Sequence, residues 1–80
     1  MIVIYSKHAE RRMGERGISR TLVEDVIRNP DTVKNKSDQK MASKVIDGKA
    51  IIVIFREIDD LKFIITTFAS SRTNRYLSEP

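Results

Sequence analysis

His8, Arg12 and Arg16 recur at every fourth position between Ser6 and Gly17. That spacing stacks side chains along one edge of a helix. An imidazole takes up or releases a proton between about pH 5 and 8. Guanidinium groups present planar forks that match phosphate oxygens. Together these types suit attack of a ribose 2′-hydroxyl on its neighbouring phosphate, with His8 as base or acid. Arg12 and Arg16 would hold the phosphate and stabilise the charge of its transition state. Thr66, Thr67 and Ser70 close an apolar stretch and offer hydroxyls to the same anion. Arg72, Arg75 and Tyr76 form a second basic cluster with a ring on which a base can stack. Arg11, Lys40 and Lys44 add cations for RNA binding. With one histidine in the chain, the complementary acid or base falls to Tyr76, Glu15 or a lysine. A plainer reading stands beside this one. His8 is then a solvated helix histidine, and Arg16, which the helical wheel turns inward between Tyr5 and Ala9, pairs with a carboxylate such as Glu57.

The chain has 80 residues, no cysteine, and apolar residues at 40%. One hydrophobic core fits in that length, so a single domain over residues 1–80 is expected. Without cysteine there are no disulfides, iron–sulfur clusters or thiolate zinc sites. A lone histidine argues against a transition-metal site, and no cofactor is implied. The longest apolar run, Ala50 to Phe55, is too short for a signal-peptide core or a membrane helix. The expectation is a cytoplasmic protein without a membrane partner. The net charge of +4 sits at the ends, with +3 in residues 1–20 and +2 in residues 61–80, mostly as arginine. A basic balance of this kind points weakly to nucleic acid.

The elements that must position these groups read as follows. Ile2 to Tyr5 is a short strand or a lead-in. Ser6 caps a helix over Lys7–Arg16 that stops at Gly17, with Gly14 weakening its interior. Ser19 caps a second helix bearing the stripe Leu22, Val23, Val26 and Ile27, ended by Asn29-Pro30. The period then changes to two. Thr32 to Ser37 reads as an edge strand, and Met41 to Ile46, Ala50 to Ile58 and Leu61 to Ala69 as an antiparallel meander turning at Asp47-Gly48 and Asp59-Asp60. This is an α+β fold: two N-terminal helices on one face of a four-stranded antiparallel sheet. Hairpin arithmetic pairs Val45 with Ala50, Met41 with Ile54, Arg56 with Phe63 and Ile54 with Ile65. It places Met41, Val45, Ile52, Ile54, Ile58, Leu61, Phe63 and Ile65 beneath the helices. Lys40, Lys44, Ile51, Val53, Phe55, Glu57, Lys62, Ile64, Thr66, Phe68 and Ser70 would then form an open face. The C-terminal segment, a partner protein or a second copy would cover its apolar part.

The run His8-Ala9-Glu10-Arg11-Arg12-Met13-Gly14-Glu15-Arg16-Gly17-Ile18-Ser19 resembles the signature H-A-x-x-R-M-x-x-R-G-I-[ST] of a small prokaryotic domain-of-unknown-function family. Phe63 to Phe68 is similar to that family's last, threonine-bearing strand. The family is placed by resemblance among the RelE/ParE-like toxins and the barnase/colicin-type ribonucleases. The resemblance extends to Ala69. It implies a RelE-like fold, RNA as substrate, an antitoxin protein bound across the sheet, and His8, Arg12, Arg16 and Thr66 as site residues. Three functions therefore compete. The first is a metal-independent, toxin-type endoribonuclease of a toxin–antitoxin system. The second is a non-catalytic nucleic-acid-binding domain using Lys40, Lys44, Arg72 and Arg75. The third is a protein-interaction module, such as a homodimer.

Overall fold

Ser6 sets where the first helix begins. Its backbone is extended, and its hydroxyl oxygen accepts from the Ala9 amide at 2.9 Å, satisfying one donor that the first turn leaves unpaired. Helix α1 runs over Lys7–Arg16 and ends at Gly17, whose φ of 67° is the left-handed conformation glycine adopts without a Cβ penalty. Ser19 repeats the device for α2 (Arg20–Arg28), accepting from the Leu22 amide at 3.1 Å. A computed structural model describes residues 1–73 of the chain.

Five strands complete the fold: β1 (Ile2–Tyr5), β2 (Thr32–Lys36), β3 (Gln39–Ile46), β4 (Lys49–Ile58) and β5 (Leu61–Ser70). They form one sheet in the order β1-β5-β4-β3-β2. The expected four-stranded meander is present as β2 to β5. The expectation of a purely antiparallel sheet needs correction, because β1 adds a fifth strand parallel to β5, from Ile2 opposite Leu61 to Tyr5 opposite Ile64. A parallel neighbour requires a long crossover, and here both helices and the whole meander supply it.

The Asp47-Gly48 hairpin holds the expected register, with Val45 opposite Ala50 and Met41 opposite Ile54. Residues Asp47 and Gly48 both have positive φ, 52° and 78°, as a two-residue turn of that hand requires. On β5 the expected register holds for Phe63 opposite Arg56 but not beyond. Phe55 lies opposite Ile64 and Ile54 opposite Thr66, so Ile65 is a bulged extra residue and the rest of β5 is displaced by one.

The face assignment is also corrected. The core beneath the helices consists of Ala42, Ile51, Val53, Phe55 and Ile64, packed on Ala9, Met13, Ile18, Val23 and Val26. Met41, Ile52, Ile54, Ile58, Leu61 and Phe63 occupy the reverse face, alternating along their strands with the core residues. Strand β4 is apolar on both sides, so alternation alone could not say which side the helices cover. The bulge also divides the end of β5: Thr66, Phe68 and Ser70 join the reverse face, and Thr67 joins the helix face. There Thr67 is fully buried and donates to the Ile52 carbonyl at 2.7 Å.

Two expected surface cations move with the faces. Lys44 stands on the helix side and binds Asp25 of α2 at 3.1 Å. Lys40, on the same side, binds Glu57 at 2.5 Å, and Lys62 reaches Glu57 from the next strand at 2.6 Å. This row of Lys40, Glu57 and Lys62 crosses three strands at one end of the sheet. The two lysine hydrogen bonds hold the Glu57 carboxyl down to about 2. Lys44 and Asn29 likewise lower Asp25 through hydrogen bonds to its carboxylate.

Candidate nucleic-acid interface

Strand β1 pairs with β5 only as far as Ile64. There the chain leaves the sheet to enter α1, and from Thr66 onward the outer edge of β5 has no neighbouring strand among the described residues. Ser6 marks the departure. Its amide donates to the Ile64 carbonyl at 3.0 Å, and its hydroxyl donates to the carbonyl of the bulged Ile65 at 2.9 Å. One serine thus caps α1 and fastens its first turn to the bulge. Alternation along the β4–β5 ladder then turns the peptide groups of Thr67 and Ala69 outward, to the uncovered edge.

Between that edge and α1 lies an open cleft of about 370 Å³, lined by His8, Arg12, Arg16 and the β5 residues 66–70. His8, Arg12 and Arg16, expected from the helix spacing, and Thr66, which the resemblance adds to them, border this one cavity. The spacing works because Ala9 and Met13 bury the neighbouring edge of α1 in the core. The adjacent edge, one turn apart at each step, then faces β5. Ser70 lines the same cleft, and Arg72 follows it, its amide donating to the Ser70 hydroxyl at 3.1 Å.

Arg16 does not point into the core as expected. It is exposed, and no ion pair holds it among the described residues. The last turn of α1 extends past Met13, the final core contact of the helix, so its side chain reaches solvent along the cleft. Glu57, offered as its carboxylate, is taken by Lys40 and Lys62 instead. Arg12 is half-buried, with only a loose contact of 3.7 Å to Glu15. Exposed pairs of that kind contribute little, so the guanidinium is free to turn to an anion. Arg11 faces solvent outside the cleft, 3.7 Å from Glu15. Lys40 and Lys44 are not among its lining residues, nor is Glu15. Arg75 and Tyr76 lie outside the described residues.

Sequence reasoning did not single out Phe68 for the site, although it lines the cleft two positions past Thr66. The signal was an aromatic residue in register with a hydroxyl on a strand end. Its ring is a stacking surface of the type that single-stranded bases use. Among the described residues no group of three or more His, Cys, Asp or Glu could hold a metal ion. No described helix is long and apolar enough to cross a membrane.

The chain belongs to the DUF4258 family, a domain of unknown function, whose profile it matches over residues 5–69. The match takes in α1, α2 and the cleft up to Ala69. No curated protein and no solved structure matches the chain.

Proposed function

We propose that this member of the family binds RNA in the α1–β5 cleft and cleaves it without a metal ion, in the manner of a toxin-type endoribonuclease. The observation that carries the reading is that His8, Arg12, Arg16 and the strand-end Thr66 line a single open cleft.

In this reading a phosphodiester lies along the uncovered edge of β5. Arg12 and Arg16 grip its non-bridging oxygens, and the outward amides of Thr67 and Ala69 with the Thr66 hydroxyl complete the cradle. His8 takes the proton from the ribose 2′-hydroxyl. The 2′ oxygen forms its bond to phosphorus as the bond to the 5′ oxygen breaks, and the leaving oxygen takes a proton from water in the open cleft. The products are a 2′,3′-cyclic phosphate and a free 5′-hydroxyl. With one imidazole, only half of the proton traffic is enzymatic, which predicts a slow enzyme.

Incubating the purified protein with single-stranded RNA in EDTA tests this. Cleavage should persist in the chelator and leave cyclic phosphate ends. His8→Ala should lower kcat by about 100-fold or more, the usual contribution of a positioned general base. Arg12→Ala should cost a comparable factor. Intact RNA bound with steep salt dependence would instead identify a non-catalytic RNA-binding domain.

A further inference from the structure

The cleft has a neighbour on the reverse face. A second, larger cavity of about 820 Å³ has Met41 and Ile54 as its apolar floor and Lys34, Lys36, Asn35 and Gln39 along one side. The sheet register connects the two. Thr66 in the cleft stands opposite Ile54, Ile54 opposite Met41, and Met41 opposite Lys34. Directly opposed residues share a face, so these four side chains form one row running from the cleft to the far edge of the sheet.

The row is open, whereas its neighbour is closed. Thr66, Ile54, Met41 and Lys34 are each only half-buried, while Ile52 and Ser43 in the adjacent row are fully buried. The far end of the row is also cationic. Neither Lys34 nor Lys36 has a carboxylate partner among the described residues, unlike Lys40, Lys44 and Lys62. Among the described residues nine ion pairs are formed, and Lys34 and Lys36, like Lys7 and Lys49, join none of them; only Lys34 and Lys36 stand two positions apart on one strand.

We propose that this row is a track for single-stranded RNA, carrying the strand from the His8 cleft across β5, β4 and β3 to a phosphate-binding end at Lys34 and Lys36. The inference rests on the reading of the cleft as an RNA site and extends it to the class of substrate. Adjacent strands lie about 4.8 Å apart, so the row is about 14 Å long. A stacked strand advances about 3.4 Å per phosphate and an extended one about twice that, so roughly two to four nucleotides fill it. Bases rest on Met41 and Ile54, and backbone phosphates reach the two lysines. The apolar floor offers no base-edge code, and any base readout falls to the amides of Asn35 and Gln39 beside it.

The test compares a dinucleoside monophosphate, UpA, which fills the cleft alone, with a twelve-nucleotide single-stranded RNA, in the wild type and in a Lys34→Ala/Lys36→Ala double variant. The ratio of kcat/KM for the longer RNA to that for UpA should fall about tenfold in the variant. The salt slope for binding the longer RNA to a His8→Ala background should shrink by about 1.4, the value for two single-strand phosphates. Lys34→Arg/Lys36→Arg should restore both. An unchanged ratio and slope in a protein that still cleaves RNA overturn the track and leave the cleft reading intact. A wild type that neither binds nor cleaves either RNA overturns both.

Discussion

At the scale of single residues, Glu57 shows how the sheet uses its charges. Two lysine ammonium groups donate to one carboxylate, and these hydrogen bonds bring its pKa to about 2, below the ordinary 4.5. A carboxyl with a folded value below its unfolded one contributes stability that is fully present above the unfolded value and lost as pH falls through the folded one. The window here is from about 4.5 down to about 2. Urea denaturation across that range should show wild-type stability falling on acidification. Glu57→Gln should be less stable at neutral pH, and its acid decline over the same range should be shallower. The same pairing explains what was legible in the sequence and what was not. His8, Arg12 and Arg16 could be grouped because helical spacing suffices to place them, whereas Thr66 was singled out from Thr67 and Ser70 only by the family resemblance. The partners of Arg16 and Lys40 could not, because Glu57 sits within reach of three cations in sequence terms and only the register chooses among them.

At the scale of elements, α1 carries two glycines that should respond in opposite directions. Gly14 is in the helix interior, and a Cβ there would meet nothing within 4 Å. Gly14→Ala should therefore stabilise the protein by about 0.5–1 kcal/mol, the propensity difference alone. Gly17 has equally open surroundings but a φ of 67°, so Gly17→Ala should destabilise by about 1 kcal/mol through backbone strain alone. Chemical denaturation midpoints of the two variants, one above and one below the wild type, check both. The helices were legible because caps and stops are local. The hairpin at Asp47-Gly48 was legible for the same reason. The bulge at Ile65 was not: nothing in Phe63-Ile64-Ile65-Thr66 distinguishes the extra residue. It is held by the Ser6 hydroxyl, a contact between residues far apart in the chain. The covered face was illegible because Ile51, Val53 and Phe55 alternate with Ile52 and Ile54, equally apolar.

At the scale of the whole molecule, the arrangement separates scaffold from site. The meander and α2 build the core, and α1 and β1 close it along β5. The cleft exists because β1 is short: had it continued beyond Tyr5, it would have paired with Thr66–Ser70 and filled the space that His8 and Arg12 overlook. Local hairpins form early, whereas the β1–β5 pairing joins residues about sixty positions apart and carries a larger loop-closure cost. Val3 packs against the core from β1. Val3→Ala should accordingly speed unfolding while leaving the refolding rate almost unchanged, giving a φ-value near zero in stopped-flow measurements.

The parallel seating of β1 beside β5 also governs how the protein emerges from the ribosome. Strand β1 has no place in the sheet until β5, made about sixty residues later, has cleared the exit tunnel. Until then Ile2, Val3 and Ile4 travel as a sticky leader on a nascent chain. Slow translation through Leu61–Ser70 would lengthen that wait, and anything fused ahead of Met1 would sit where the Met1 amine meets Asp60 at 3.5 Å.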